Sequence, residues 1–306
     1  MSRKGNIIVF LKNTSDTIAK IIPENSRLYK NLMFLGLKIT AKKRLSKKTS
    51  MRIDISVVEH CNLWCKHCWT FSPLADEIFM DVGEFDKDFK LLSKLTNGSM
   101  SDILLMGGEP LLHPKLTEIM DISRKYFRDT EILLLTNGIL LEKQDKFFWE
   151  SCRKNGIKVK ITHYPIKINY DKINITAAQH NVEFGYWGQG KPPVKAMFKF
   201  PIDINGGHDA NENWFYCHQA NNCFMYKRGR IYPCSVISCI EHFNKFFGCK
   251  LTIQEDDYIE IKKVANIDEM LSFLAAPKPF CRYCNKLSVE TGLKWELSQR
   301  DISEWT

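Results

Sequence analysis

The stretch His60–Trp69, HCNLWCKHCW, holds three cysteines within eight residues and decides how the fold is interpreted. Three residues separate Cys61 from Cys65, and two separate Cys65 from Cys68. Thiolates select zinc, copper(I) or iron–sulfur clusters. Structural zinc usually takes four ligands from two distant pairs. Three thiolates on one loop better fit a [4Fe–4S] cube, with one iron left open to chelate a small molecule.

Length and composition favour a globular metalloprotein. The chain has 306 residues, which allows one large domain or two modest ones, and 44% of them are hydrophobic. No run of about 18 apolar residues occurs, so no membrane span is predicted. The N-terminus has a short apolar patch but no small-residue cleavage site, so no signal peptide is predicted and we expect a cytoplasmic protein. The eleven cysteines are odd in number and clustered. This pattern indicates metal binding rather than a disulfide framework.

Alternating strand and helix patterns follow from residue 51. Predicted strands cover residues 51–60, 102–108, 131–138, 157–165 and 182–187, and predicted helices cover 81–96, 113–127, 142–156 and 170–181. Such alternation is typical of an α/β protein with a parallel sheet and outer helices, as in a partial or complete βα barrel. Barrels of this kind carry their chemistry at the carboxyl ends of the strands.

Four polar or metal-binding segments follow the predicted strands. They are the triple-cysteine loop, Gly107–Pro110, Thr136–Gly138 and His163–Tyr164. Because parallel strands end at the same edge of a sheet, we expect all four segments on one rim.

The sequence changes character after about residue 200, where Asn, Gly and Cys become frequent. Residues 223–234 predict a β-hairpin around Lys227–Gly229, and residues 266–275 predict a helix. The predicted domains are a basic arm (1–50), a core (51–205) and a smaller cysteine-rich domain with the C-terminal tail (206–306).

Residues 51–200 resemble the radical S-adenosylmethionine (SAM) superfamily. The resemblance rests on Cys61, Cys65 and Cys68 after the first strand and on the GGEP motif, Gly107, Gly108, Glu109 and Pro110, after the second. His67 stands where the family usually has an aromatic residue beside the adenine of SAM. The resemblance implies a partial (β/α)6 TIM-like barrel, in which Glu109 meets the methionine ammonium of SAM.

The resemblance also implies a reaction. The open iron of a [4Fe–4S] cluster would bind S-adenosyl-L-methionine, and one electron would yield methionine and a 5′-deoxyadenosyl radical that abstracts a substrate hydrogen. A flavodoxin- or ferredoxin-type protein would donate the electron. Thr136 and Asn137 would hold the ribose or carboxylate of SAM, although both also suit a simple turn.

A second cysteine set resembles SPASM and twitch domains, which hold auxiliary clusters. Cys217, Gly229 and Cys234 resemble the opening of such a domain, and Cys281 with Cys284 resembles its closing pair. The resemblance implies one auxiliary [4Fe–4S] cluster on these four cysteines, in a shortened, twitch-type domain. Cys223 or Cys239 could replace Cys217 or Cys234, and a structural zinc on the same four residues is the alternative.

A filled auxiliary cluster suits oxidation, because the substrate radical must lose a second electron. We therefore expect a dehydrogenase acting on a carbinol of a sugar, a nucleotide-linked or phosphorylated sugar, or an aminocyclitol. The alternatives are a sugar epimerase and a peptide-modifying enzyme. His163 and Tyr164 are the candidate catalytic residues, and Cys152, Cys223, Cys239 and Cys249 are the thiols left over for an epimerase. A non-catalytic metal-binding protein would have no use for the GGEP motif.

The basic charge is concentrated in the first 50 residues, which contain twelve Lys and Arg but only two acidic residues, Asp16 and Glu24. The net charge of this segment is +10, compared with +9 for the whole chain. Residues 20–48 have apolar residues near helical spacing with lysines between them. This pattern predicts either a solvated arm or a basic amphipathic helix that contacts an anionic membrane or ligand. Nucleic acid is not an expected partner.

Overall fold

The structure is a computed structural model that describes residues 51–306 except 188–193, 216, 218 and 220–222, together with Leu28, Leu32 and Leu35. The chain forms two compact units, Met1–Arg44 and Leu45–Thr306. The three leucines of the first unit are helical and exposed. The rest of the arm, with most of the predicted amphipathic helix at 20–48, lies outside the described residues.

Among the described residues, the second unit contains two sheets and seven α-helices, with short 3-10 helices between them. The strands are β1 (Arg52–Val58), β2 (Asp102–Gly107), β3 (Glu131–Thr136), β4 (Ile157–Ile161), β5 (Phe184–Tyr186), β6 (Met197–Lys199), β7 (Phe224–Lys227), β8 (Arg230–Tyr232), β9 (Ile259–Glu260) and β10 (Glu290–Leu293). The helices are α1 (Val82–Thr96), α2 (Leu116–Tyr126), α3 (Lys146–Asn155), α4 (Tyr170–Gln179), α5 (Ala210–Phe215), α6 (Ser235–Phe247) and α7 (Ile267–Leu274).

The larger sheet has the strand order β5-β4-β3-β2-β1-β7-β8-β9, and its first six strands are parallel. One helix separates each of the successive strands from β1 to β5. The predicted α/β fold, a partial TIM-like barrel with a mostly parallel sheet, is confirmed. None of the helices in the described part of the chain combines the length and apolarity needed to cross a membrane.

Local sequence sets the ends of these helices. The Asp81 side chain accepts a hydrogen bond from the Glu84 backbone N–H at 2.7 Å and thereby begins α1. Asp145 caps α3 in the same way through the Phe148 N–H. Gly156 ends α3 in the left-handed conformation with φ of 58°, as the sequence predicts.

The interior strands are buried on both faces, as expected of a parallel sheet covered by helices. Within β1, both the apolar Ile53 and Ile55 and the polar Asp54 and Ser56 are buried. The apolar face of α1 packs Phe85 and Phe89 against Tyr226 of β7. This packing joins α1 to the strand that extends the sheet beyond β1.

The C-terminal region joins the same sheet. β7 pairs with β1 in parallel, Ile53 opposite Phe224, and β7 and β8 form the predicted hairpin. Strands on both sides of the predicted domain boundary, at residues 205–206, therefore belong to one sheet. That residues 51–205 and 206–306 serve different functions stays a prediction. Helix α6 was not predicted, because its first turns contain residues that favour strands or turns. Its burial against a second core, which includes Phe71, Phe280 and Trp305, offsets that weak propensity.

Candidate active site

One cavity of about 240 Å³ lies beside the triple-cysteine loop and the ends of β2, β3 and β4. Residues from all four segments predicted to share a rim line it. They are Cys61, Cys65, His67, Cys68, Gly107, Gly108, Thr136, Asn137 and Tyr164. The parallel sheet therefore brings together residues that are up to about a hundred positions apart in the sequence.

Gly107 and Gly108 allow the loop after β2 to lie directly against the end of β1. A Cβ atom on Gly107 would collide with the carbonyl oxygen of Val58, and one on Gly108 with that of His60. Gly107 also has φ of 127°, which disfavours any side chain. The pair of glycines brings the loop within hydrogen-bonding distance of the backbone leading to Cys61: the Gly108 N–H donates to the Val58 carbonyl at 2.7 Å.

Glu109 is fully buried and does not line the cavity. Its carboxylate accepts hydrogen bonds from Thr136 Oγ1 at 2.6 Å, Asn137 N at 2.9 Å and Leu111 N at 3.1 Å. Burial raises the pKa of Glu109 to about 7, although these hydrogen bonds favour the ionised form. The carboxylate thus ties the loop after β2 to the end of β3. Its predicted contact with the SAM ammonium stays a prediction, and Pro110 is buried beside it, outside the cavity lining.

Asn137 lies between the GGEP loop and the cysteine loop. Its side-chain amide donates to Asn62 Oδ1 at 2.7 Å and lies 3.8 Å from Cys61 Sγ. Thr136 and Asn137 both line the cavity, where the sequence predicts contact with SAM. His67 lines it too, in a left-handed conformation with φ of 61°, and its Nδ1 lies 2.6 Å from the Glu304 carbonyl oxygen.

The two candidate catalytic residues lie in different surroundings. Tyr164 lines the cavity, and its ring packs against Trp295 with centroids 6.0 Å apart. Burial raises the pKa of Tyr164, and the neighbouring Cys65 and Cys68 raise it further. His163 packs against the rings of Tyr170 and Tyr186 and is not part of the cavity lining. Of the two, Tyr164 is positioned to meet a bound molecule.

The three thiols fit a metal cluster. Burial raises the pKa of Cys61, and it raises the pKa of Cys65 to about 11, with the neighbouring Cys68 adding to the effect. Such thiols would stay protonated near neutral pH unless a metal bound the thiolate form. All three cysteines line the cavity, so they could hold three irons of a [4Fe–4S] cluster, whose fourth iron would stay open to a small molecule.

Lys195 is a cavity residue that the sequence did not reveal. It follows a stretch rich in Gly and Pro, which has no periodic pattern to indicate a buried position. Burial lowers the pKa of Lys195, while the nearby Cys65 and Cys68 oppose that effect. No carboxylate lines the cavity among the described residues, so Lys195 makes it suited to an anionic group.

The four cysteines of the predicted auxiliary site converge. Burial raises the pKa of Cys234, and the thiols of Cys217, Cys284 and Cys281 add to the effect, so all three lie near enough to Cys234 to interact with it electrostatically. The side-chain amide of Asn213 donates to the carbonyl oxygens of Cys281 and Cys284 and so holds the closing pair. Their role as ligands stays a prediction.

A half-buried lysine, Lys286, lies near these thiols. Burial by itself lowers the pKa of Lys286, but Cys284, Cys217 and Cys234 outweigh that effect and the pKa is raised. A cation at this position fits a site of net negative charge, such as four thiolates around a cluster. Cys239 and Cys223, the two alternative ligands, have other partners. The Cys239 sulfur lies 3.4 Å from Ser238 Oγ and interacts electrostatically with Lys227. Cys223 interacts electrostatically with Arg52.

Comparisons with known proteins identify a family for the region that carries the cavity. Residues 55–174 match the family model of the radical SAM superfamily. A GTP 3′,8-cyclase of Helicobacter pylori is 34% identical over 97 residues, which are 31% of this chain and 29% of that protein. The GTP 3′,8-cyclase of Aliarcobacter butzleri is 27% identical over 127 residues, 42% of this chain and 36% of that protein. The chain thus spans about a third of the length of these curated relatives.

Solved structures show more distant similarity. BtrN in complex with AdoMet and 2-DOIA aligns over 76% of this chain and 92% of that chain, with 19% identity and a TM-score of 0.48. The protein anSMEcpe with bound AdoMet aligns over 76% of this chain and 82% of its own, with 13% identity and a TM-score of 0.45. By the match to the family model, residues 55–174 form a domain of the radical SAM superfamily, whose cofactors are a [4Fe–4S] cluster and S-adenosyl-L-methionine.

Proposed function

We propose that the protein oxidises a carbinol of a sugar, a nucleotide-linked sugar or an aminocyclitol to a ketone. When bound, the cluster and SAM would supply a 5′-deoxyadenosyl radical that abstracts the hydrogen from the carbinol carbon. Cys61, Cys65 and Cys68 would hold the cluster, and Asn137, His67 and the GGEP loop would orient SAM in the cavity.

The convergence of Cys217, Cys234, Cys281 and Cys284 carries this proposal. Four thiolates would fill a [4Fe–4S] cluster and leave no open iron for a substrate, so this site is suited to electron transfer. Oxidation of an alcohol requires that a second electron leave after the first hydrogen has been abstracted, and a filled cluster can accept it. A proton must also leave the hydroxyl group for a base, and the protonated Tyr164 side chain in the cavity could hydrogen-bond to that hydroxyl group.

The thiols left over favour oxidation over epimerisation. A radical epimerase would need a thiol near the substrate to return a hydrogen to the opposite face. Among the described residues, the only cysteines that line the cavity are the three of the cluster loop. Cys152 and Cys239 are fully buried elsewhere, in α3 and α6.

A second candidate is a reaction on a purine nucleotide, because the curated relatives include GTP 3′,8-cyclases. The cation Lys195 suits a phosphorylated substrate as well as the SAM carboxylate. Peptide modification is a third possibility, but no described residue of the cavity supports it.

The deciding experiment is an anaerobic assay with SAM, a reductant and panels of sugars, aminocyclitols, nucleotide sugars, GTP and peptides. A substrate should stimulate 5′-deoxyadenosine formation. Under the oxidation proposal, the product is lighter than the substrate by two hydrogens. A product of unchanged mass in ordinary water that gains one deuterium in heavy water would show epimerisation instead. Turnover of GTP without turnover of any alcohol substrate would favour the nucleotide reaction.

The basic arm is proposed to contact an anionic membrane surface through residues 20–48. Removing these residues should abolish sedimentation with vesicles containing an anionic lipid, while SAM cleavage survives. Added salt should weaken the binding of the full-length chain, since the contact is electrostatic. Equal sedimentation of the two proteins would contradict the proposal.

A further inference from the structure

The C-terminal segment Lys294–Thr306, here called the strap, lies against the triple-cysteine loop. The contacts are made by residues about 230 positions apart in the sequence. They comprise Lys66 N–H to the Glu296 carbonyl (2.9 Å), Lys66 Nζ to Glu296 Oε2 (2.8 Å), Ser298 N–H to the Trp64 carbonyl (2.9 Å) and Trp305 Nε1–H to the Cys68 carbonyl (3.0 Å). The strap therefore holds the backbone that carries the cluster ligands.

The strap is itself held in place. Glu304 is buried, and its carboxylate accepts hydrogen bonds from Ser298 Oγ at 2.6 Å and Gln299 N at 2.7 Å. The Arg300 guanidinium lies over the Trp64 ring at 3.8 Å from its centroid. Trp305 is buried in the second core beside Phe71. Side chains on the strap consequently have defined positions relative to the cysteine loop.

One strap residue reaches a cluster ligand directly. The Trp295 indole Nε1–H donates to Cys65 Sγ at 3.1 Å. An indole is only a donor, and a metal-bound thiolate is a better acceptor than a thiol, so Trp295 would donate a stronger hydrogen bond to this sulfur if Cys65 held a cluster. The Trp295 ring is fixed by its packing against Tyr164, which leaves its N–H directed at the sulfur.

We infer that Trp295 is a positioning residue that raises the reduction potential of the cluster on Cys61, Cys65 and Cys68. One-electron reduction of a [4Fe–4S] cluster by an external donor adds one negative charge, which spreads onto the thiolate sulfurs. A hydrogen-bond donor on a sulfur stabilises the reduced form more than the oxidised form and so shifts the potential to a more positive value. The inference rests on the radical SAM domain and is independent of the proposed substrate oxidation.

The test is a redox titration of the full-length, anaerobically reconstituted protein, followed by electron paramagnetic resonance. Addition of SAM changes the signal of the cluster that binds it, so that signal can be told from the one at the auxiliary site. The Trp295→Phe variant keeps an aromatic ring against Tyr164 and removes the N–H. We expect its SAM-sensitive cluster to have a more negative midpoint potential than the wild type, at equal iron content.

Two further variants complete the test. Trp305→Phe removes an indole N–H that donates to the carbonyl oxygen of Cys68 rather than to a sulfur, and we expect a smaller shift from it. Trp295→His offers a ring N–H again and should move the potential back toward that of the wild type. An unchanged potential in Trp295→Phe, or equal shifts in Trp295→Phe and Trp305→Phe, would overturn the inference. Loss of the SAM-sensitive cluster from Trp295→Phe would also overturn it and assign Trp295 a purely structural role.

Discussion

The two cysteine sites differ in how they recruit their thiols. Cys61, Cys65 and Cys68 come from one loop and line a cavity, whereas Cys217, Cys234, Cys281 and Cys284 come from separate segments and have a half-buried lysine near them. A loop can place three sulfurs around one cluster and leave the fourth corner to a ligand. Converging segments can complete all four corners, which closes the site to substrates. This difference is what we expect if the first site carries out the reaction and the second transfers electrons.

Removal of the thiols of either site should have the largest effect and tests the difference between the two sites. The reconstituted wild type should hold about eight irons per chain, and either the Cys61/Cys65/Cys68→Ala or the Cys217/Cys234/Cys281/Cys284→Ala variant about four. Only the first variant should lose SAM cleavage, measured as 5′-deoxyadenosine, because it loses the open corner. The second should retain it but form no oxidised product. Stoichiometric zinc without iron at either site would contradict the assignment of that site.

A buried ion pair connects the two sites. Lys227 Nζ, in the hairpin that leads to Cys234, lies 2.5 Å from the Glu59 carboxylate, which precedes Cys61, and both side chains are about 5% exposed or less. The Lys227→Met substitution removes one of three basic side chains that contact the buried Glu59 carboxylate and leaves Arg228 and His242 beside it, so it should lower the free energy of unfolding by about 1.5–3 kcal/mol. Chemical denaturation measures it.

The control for that variant is Lys154→Met, which breaks an exposed pair with Asp121 at 3.1 Å. Its effect should be within about 1 kcal/mol. Equal effects of the two substitutions would mean that the buried pair does not link the sites energetically.

A substitution at Gly108 tests the close approach of the GGEP loop to the backbone that precedes Cys61. Gly108→Ala places a Cβ against the His60 carbonyl and should cost about 3 kcal/mol of stability while weakening SAM binding. Gly248→Ala is the matched control. Gly248 has a left-handed φ, 67°, but a Cβ added to it would meet nothing within 4 Å, so only about 1 kcal/mol of backbone strain is expected. Thermal unfolding would compare the stabilities of the two variants, and calorimetric titration would compare their affinities for SAM.

The smallest effect is expected at a thiol outside both sites. Cys249 packs at the edge of the second core and does not line the cavity. Cys249→Ala should leave product formation unchanged in a steady-state assay. Loss of product formation with normal 5′-deoxyadenosine release would identify Cys249 as a hydrogen donor and favour epimerisation.

Much of the site could be predicted from local patterns. The cysteine spacing, GGEP and the polar strand ends are each visible within a few residues, and the alternation of strands and helices predicts that they share a rim. Glu109 shows the limit of that reasoning. The motif predicts a contact with the SAM ammonium, which stays a prediction, whereas only the structure shows that the buried carboxylate accepts a hydrogen bond from the Asn137 N–H. Which way a side chain points depends on the neighbouring strand, which lies 28 residues away.

The parallel fold of residues 51–187, the three-thiol loop and the superfamily all follow from the amino-acid sequence without further information, because periodicity and short spacings encode them. Long-range packing was needed to bring Lys195 to the cavity, Lys286 to the four thiols and the Trp295 N–H to Cys65 Sγ. These contacts join distant segments, and Trp295 lies 230 residues from its partner. No local pattern specifies such pairs, because their proximity results from the packing of the whole sheet and its two cores.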